Sequence, residues 1–156
     1  MNQGEEKDFL EYPDELSIHY IYSVGELTKF FREVKENGRL FGTKCTKCGF
    51  VYLPPRMDCS KCYVPTEWIP LSGKGEITAA TICTFGVSKF TGKLPIVIAF
   101  MKLDGTDMAI RHTIVMDDEE ITIDKLKKGT RVKVQFISKA KREGKITDFY
   151  FVLDKD

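Results

Sequence analysis

Apolar residues follow two different rhythms along the chain. Val24, Leu27, Phe30, Phe31 and Val34 recur at the three-to-four-residue spacing that lines one face of a helix. Ser23 followed three residues later by Glu26 has the form of a capping box, and Gly38 after Asn37 suits a helix stop. The pattern therefore predicts a helix over residues 24–37, with Phe30-Phe31 facing the core or, as the alternative, offering an apolar face to a partner protein. From Gly73 onward the rhythm becomes that of strands. Segments 76–84, 95–103, 107–115, 130–138 and 146–153 are rich in Ile, Val, Thr, Phe and Tyr, and Val132, Val134 and Phe136 alternate with Lys133 and Gln135. Glycines at 73, 75, 86, 92, 105, 129 and 144 punctuate these strands as turns or bulges. Five strands with one short interruption near 119–128 predict a small five-stranded Greek-key barrel of the OB type. Before the helix, residues 14–22 fit neither period cleanly, and the first dozen residues form a polar, acidic arm that orders only against something else.

Between helix and barrel lie Cys45-Thr-Lys-Cys48-Gly49 and Cys59-Ser-Lys-Cys62. A C-x2-C pair lets two sulfurs reach one ion, and two such knuckles complete a tetrahedral four-sulfur shell. Gly49 suits the tight turn of the first knuckle, and Pro54-Pro55 ends the strand leaving it. Cys45, Cys48, Cys59 and Cys62 are thus the expected metal ligands of a rubredoxin-like ribbon holding structural Zn2+. Iron in the same shell, as in an electron carrier, stays open on spacing alone. A closed shell leaves no position for activating water, so catalytic zinc is not expected. The chain reads as mainly β with an N-terminal helix: arm and helix over 1–39, zinc ribbon over 40–70, and OB-fold barrel over 71–156.

Composition narrows the function. A chain of 156 residues with 42% hydrophobic and 30% charged residues is an ordered globular protein, short for an enzyme with separate cofactor and substrate domains. No apolar run is long enough to span a membrane, and the first residues lack the order of a secretory signal, so a cytoplasmic location is expected. Five cysteines in that setting point to metal binding rather than disulfides. Net charge is +1, yet nine basic residues and a single acid, Glu143, lie between Lys125 and Lys145. Such a stretch could neutralise single-stranded nucleic acid, with Phe85, Phe90, Phe149 or Tyr150 as stacking platforms, or meet the phosphates of coenzyme A. Cys83 sits in an apolar strand without an adjacent base, as a small buried hydrophobe does. His19 and His112 lie in no nucleophile or metal motif, and Asp117 to Glu120 read as a solvated acidic loop. No catalytic residue is expected, and the residues that would bind a cofactor stay unidentified.

The order of the Phe30-Phe31 helix, Leu40, Cys45-x-x-Cys48-Gly49, Pro54-Pro55-Arg56, Cys59-x-x-Cys62, Trp68 and Leu71-Ser72-Gly73-Lys74-Gly75, followed by the barrel, resembles the DUF35 family. These are OB-fold proteins with a rubredoxin-like zinc ribbon, associated with acyl-CoA metabolism. The resemblance covers roughly residues 28–153. It implies a non-catalytic partner of thiolase-like enzymes, acetoacetyl-CoA thiolase and/or hydroxymethylglutaryl-CoA synthase, with a coenzyme A thioester as ligand. Single-stranded nucleic-acid binding is the alternative. Phe31 departs from the tryptophan that many relatives carry there, and keeps an aromatic in place.

Overall fold

A computed structural model of the chain describes residues 10, 12–85, 94–116 and 121–155. Residues 12–24 take neither helix nor strand and are almost entirely exposed. The predicted helix follows as three joined pieces: a 3-10 turn at Gly25–Leu27, helix α1 at Thr28–Arg32 and a wider π turn at Glu33–Asn37. The capping box does not form. Ser23 Oγ instead accepts the Gly25 N–H at 3.1 Å, because Gly25 itself is left-handed (φ +57°) and turns the chain before the helix begins. The stop is as expected, with Gly38 left-handed at φ +59°. Phe30 and Val34 are buried, and Phe31 packs against the same core from its edge.

Three strands then form a small antiparallel sheet in the order β2-β1-β3, with β1 at Leu40–Cys45, β2 at Val51–Tyr52 and β3 at Thr66–Leu71. The register runs from Leu40 opposite Leu71 to Cys45 opposite Thr66. Both cysteine knuckles grow from this sheet, the first directly from the end of β1.

The remaining strands are β4 (Lys74–Cys83), β5 (Ile96–Leu103), β6 (Ala109–Ile114), β7 (Arg131–Phe136) and β8 (Phe149–Leu153). They close into a barrel in the order β4-β5-β6-β8-β7, with β7 returning to β4. This is the five-stranded Greek-key barrel that the strand pattern predicts. Alternation decides which side chains fill it: along β5, Val97, Ala99, Met101 and Leu103 point inward while Ile98, Phe100 and Lys102 point out. A register shift between Ile77 and Ala79 bends β4, which pairs with β5 along its length and with β7 at its start. A 3-10 turn at Ile123–Leu126 lies in the expected interruption and buries Leu126. The acidic block Asp117 to Glu120 lies outside the described residues.

The main hydrophobic core joins helix, small sheet and barrel, and a second, smaller cluster of Cys45, Tyr52 and Cys59 lies at the knuckles. Phe30 and Val34 of the helix, Leu40 and Leu53 of the ribbon region, and Ile77, Met101, Phe149 and Phe151 of the barrel belong to a single cluster. Phe30 meets Phe149 edge to face at 6.5 Å between ring centroids. Asp107, after β5, clamps β2 from the barrel side. Its carboxylate accepts the Val51 N–H at 2.8 Å, and its own N–H donates to the Val51 carbonyl at 3.0 Å.

Candidate metal centre and barrel groove

The two knuckles repeat one backbone design. In the first, the Cys45 N–H donates to Phe50 O and the Gly49 N–H to Cys45 O; in the second, the Cys59 N–H donates to Val64 O and the Tyr63 N–H to Cys59 O. The turn after each cysteine pair is left-handed, with Gly49 at φ +75° and Tyr63 at φ +54°. This geometry folds each pair's sulfurs to the same side.

All four predicted ligands come together: the sulfurs of Cys45, Cys48, Cys59 and Cys62 lie within 4.8 Å of one another. Cys48 Sγ and Cys59 Sγ are 3.8 Å apart. A tetrahedral zinc with bonds of about 2.3 Å needs sulfur–sulfur edges of about 3.8 Å, so the donor set and its spacing fit such an ion. Cys45 and Cys59 are buried, whereas Cys48 is exposed and Cys62 half-exposed, so the site lies at the surface with one side closed.

Hydrogen bonds prepare the sulfurs to carry charge. The Lys47 and Cys48 N–H groups both reach Cys45 Sγ at 3.3 Å, and the Cys48 contact is the largest cause lowering the Cys45 pKa. Tyr52, fully buried, places its hydroxyl 3.2 Å from Cys59 Sγ, and this bond draws the Cys59 thiol down to about 6. The same contact pushes the Tyr52 pKa up. Cys62 is pushed up to about 12, first by its hydrogen bond with Cys48. The lowered values at Cys45 and Cys59 favour the thiolate form that a metal ligand must take. The Ser60 N–H donates to the Tyr52 oxygen at 3.1 Å, and Phe50 packs on the Tyr52 ring at 4.8 Å. Sequence spacing did not single out Tyr52; its signal was only an aromatic residue in the strand between the knuckles.

The other candidates are scattered. Cys83 is half-buried at the end of β4 and makes no hydrogen bond among the described residues. His19 is exposed and, among the described residues, bonds only Ser17 Oγ, at 3.0 Å. His112 is packed on Phe149 at 4.5 Å and lies far from any cysteine motif in sequence. Its Nδ1 takes the Thr113 N–H at 2.8 Å, and burial lowers its pKa. Among the stacking candidates, Phe149 is a correction, because it is 1% exposed and serves the core. Phe85 is exposed, Tyr150 is half-buried, and Phe90 lies outside the described residues.

Much of the basic stretch is neutralised within the chain. Arg131 forms a paired contact with Asp104, Lys133 with Asp154 at 2.8 Å, Lys127 with Asp124 at 3.0 Å, and Lys145 with Glu143. Arg142 donates to Ile137 O at 2.8 Å and lies over the Phe136 ring. Lys139 and Lys141 are exposed and make no ion pair among the described residues.

A groove of about 440 Å³ crosses the outer face of β5 and β6 beside the start of β8. Ile96, Ile98, Thr113, Val115, Ile146 and Tyr150 line it, and Arg111 is its one cation among the described residues. No helix among the described residues is long and apolar enough to cross a membrane.

Residues 32–66 match the family model described as the ChsH2 rubredoxin-like zinc ribbon domain, and residues 68–136 that of the ChsH2 C-terminal OB-fold domain. Ribbon and barrel follow each other as in that family. The chain belongs to the DUF35 family. A DUF35 domain-containing scaffold protein from Methanocaldococcus jannaschii is 34% identical over 91 residues, 57% of this chain and 64% of that one. The chain thus spans just under two thirds of that relative. A scaffold protein of the same description from Methanothermobacter thermautotrophicus is 27% identical over 121 residues, 76% of this chain and 86% of that one. Two solved structures share the fold. An Ltp2–ChsH2(DUF35) aldolase aligns at TM-score 0.62 with 18% identity over 85% of this chain and 96% of that one. A DUF35 protein of unknown function from Sulfolobus solfataricus aligns at 0.61 with 19% identity, over 86% and 90%.

Proposed function

We propose that this DUF35 chain is a non-catalytic scaffold that binds thiolase-like enzymes, acetoacetyl-CoA thiolase and/or hydroxymethylglutaryl-CoA synthase, and helps pass an acyl-CoA intermediate between them. The observation that carries this reading is the match of both domains to a family whose curated relatives are named scaffold proteins. Chemistry supports it: among the described residues neither Cys83 nor His112 has the partner a nucleophile or base needs. The partner would supply the nucleophile. Holding a thioester between proteins keeps water away and raises its effective concentration at the next site, which asks for position rather than catalysis from this chain. The apolar groove with Arg111 suits the pantetheine arm and a phosphate of such a ligand.

Cys45, Cys48, Cys59 and Cys62 would hold Zn2+ as a structural ion, which fixes the two knuckles and, with its shell closed, activates no water. Metal analysis of the purified protein checks the element: one zinc per chain supports the assignment, and a red, iron-containing protein replaces it with a rubredoxin-type centre.

The functional test is gentle affinity purification of the tagged protein from its native host, with co-purifying proteins identified by mass spectrometry and nucleic acid checked by absorbance. A stoichiometric thiolase or synthase is the expected result. Nucleic acid without such an enzyme would make the barrel an oligonucleotide binder, a reading that the internal pairing of Arg131, Lys133 and Lys145 disfavours.

A further inference from the structure

Residues 12–24 carry a set of large apolar side chains that no other described part of the chain covers. Tyr12, Leu16, Ile18, Tyr20, Ile21 and Tyr22 are 65–103% exposed. At roughly 150 Å² for each side chain this is on the order of 700 Å². A monomer's largest apolar patch is ordinarily about 300–600 Å² and often functional. Leu16, Ile18, Tyr20 and Tyr22 make up about 400 Å² of this exposed area, roughly half of the ~800 Å² that each partner contributes to a stable protein interface.

The segment's pattern identifies the kind of contact. Leu16, Ile18, Tyr20 and Tyr22 alternate with Ser17, His19, Ile21 and Ser23, so all but Ile21 obey a period of two. The rings of Tyr20 and Tyr22 touch at 5.6 Å between centroids. Residues two apart share a face in an extended strand and lie on nearly opposite sides of a helix. The alternation is that of a strand, and residues 14–23 pair with no strand among the described residues. Its departure point is fixed, because Ser23 Oγ binds the Gly25 N–H and the following helix buries Phe30 and Val34 in the core.

We propose, resting on the scaffold reading above, that residues 14–23 add as an edge strand to an open β-sheet of the partner enzyme. The Leu16-Ile18-Tyr20-Tyr22 face packs on that enzyme's apolar strip. Backbone hydrogen bonds supply the affinity common to strand addition, and side chains on alternate positions supply the choice of partner. Asp14 and Glu15, both exposed at the start of the segment, call for a basic residue beside the receiving edge. A second copy of this chain is a poor recipient. Its barrel is closed, β2 is two residues long, and β3, the longer edge of the small sheet, is interrupted by Pro70.

The test uses the full chain and the enzyme recovered with it from the native host. The purified enzyme is titrated with wild type and with two double variants that change charge equally on opposite faces: Ile18→Glu with Tyr20→Glu, and Ser17→Glu with His19→Glu. The first is expected to weaken binding about 100-fold or more, as loss of two buried anchors does, and the second about threefold or less. Both should keep the wild-type thermal midpoint and metal content. Equal weakening by the two pairs, or none by either, overturns strand addition while leaving the scaffold reading in place. Self-association of the wild type that only the first pair abolishes assigns the segment to a second copy and overturns the enzyme partner. Recovery of no enzyme with the wild type overturns the scaffold reading and this proposal together.

Discussion

Asp148 holds the connection between β7 and β8 from inside. It is 2% exposed, and one carboxylate oxygen accepts the N–H groups of Glu143, Gly144 and Lys145 at 2.8, 2.6 and 3.1 Å. Asp148→Ala leaves those donors without a partner, and a loss of about 1–3 kcal/mol in denaturant unfolding is expected. His112 gives a residue-scale pH dependence. Its Nδ1 accepts the Thr113 N–H, so Nε2 carries the proton and donates to Ile146 O at 2.9 Å. Burial lowers its folded-state pKa below the ordinary 6.5, so the unfolded chain takes up the proton first as pH falls. The stability it contributes is full above 6.5 and is lost as pH falls from there through the lowered folded value. His112→Gln should flatten this part of the curve in unfolding titrations across that range. Neither role was legible in the sequence, because the Asp148 carboxylate closes a local turn that no helix or strand period marks, and His112 meets Ile146 only when β6 comes beside the connection from β7 to β8.

Local spacing was enough to anticipate that the four sulfurs meet, since each C-x2-C pair is a short-range constraint that survives in any fold bringing the knuckles together. The strands were legible for a similar reason: alternation such as Val132, Val134 and Phe136 is enforced by burial on one face. Residues 14–22 were not, since a strand whose partner lies elsewhere has no second strand to confirm its period. The capping box failed because Gly25 took a left-handed turn within it. At the knuckles, Gly49 and Tyr63 occupy the same left-handed position, but only glycine does so without steric cost. Tyr63→Gly is expected to stabilise the metal-loaded protein by about 1 kcal/mol, and Gly49→Ala to destabilise it by about 1 kcal/mol or more. Thermal unfolding of both variants checks the opposite signs. A loss of stability in Tyr63→Gly would mean that the exposed ring contributes more than its backbone costs.

The ribbon and barrel are coupled by their side chains as well as by sequence. Leu40 and Leu53 share a core with Phe149 and Phe151, and Asp107 binds both backbone groups of Val51 across the boundary. An ion at the cysteines would therefore stabilise more than the ribbon, since the knuckle at Cys45 ends the strand whose first residue, Leu40, is part of that core. Chelation of the metal, or Cys45→Ser with the loss of one of four bonds, should lower metal content and move the thermal unfolding of ribbon and barrel together to lower temperature. Tyr52, next to the metal site, and Phe149, in the barrel core, provide local reporters by amide exchange. Protection lost at both positions on chelation is the expected result. Loss at Tyr52 with full protection at Phe149 would show that the ribbon opens by itself and that the shared core does not transmit metal binding.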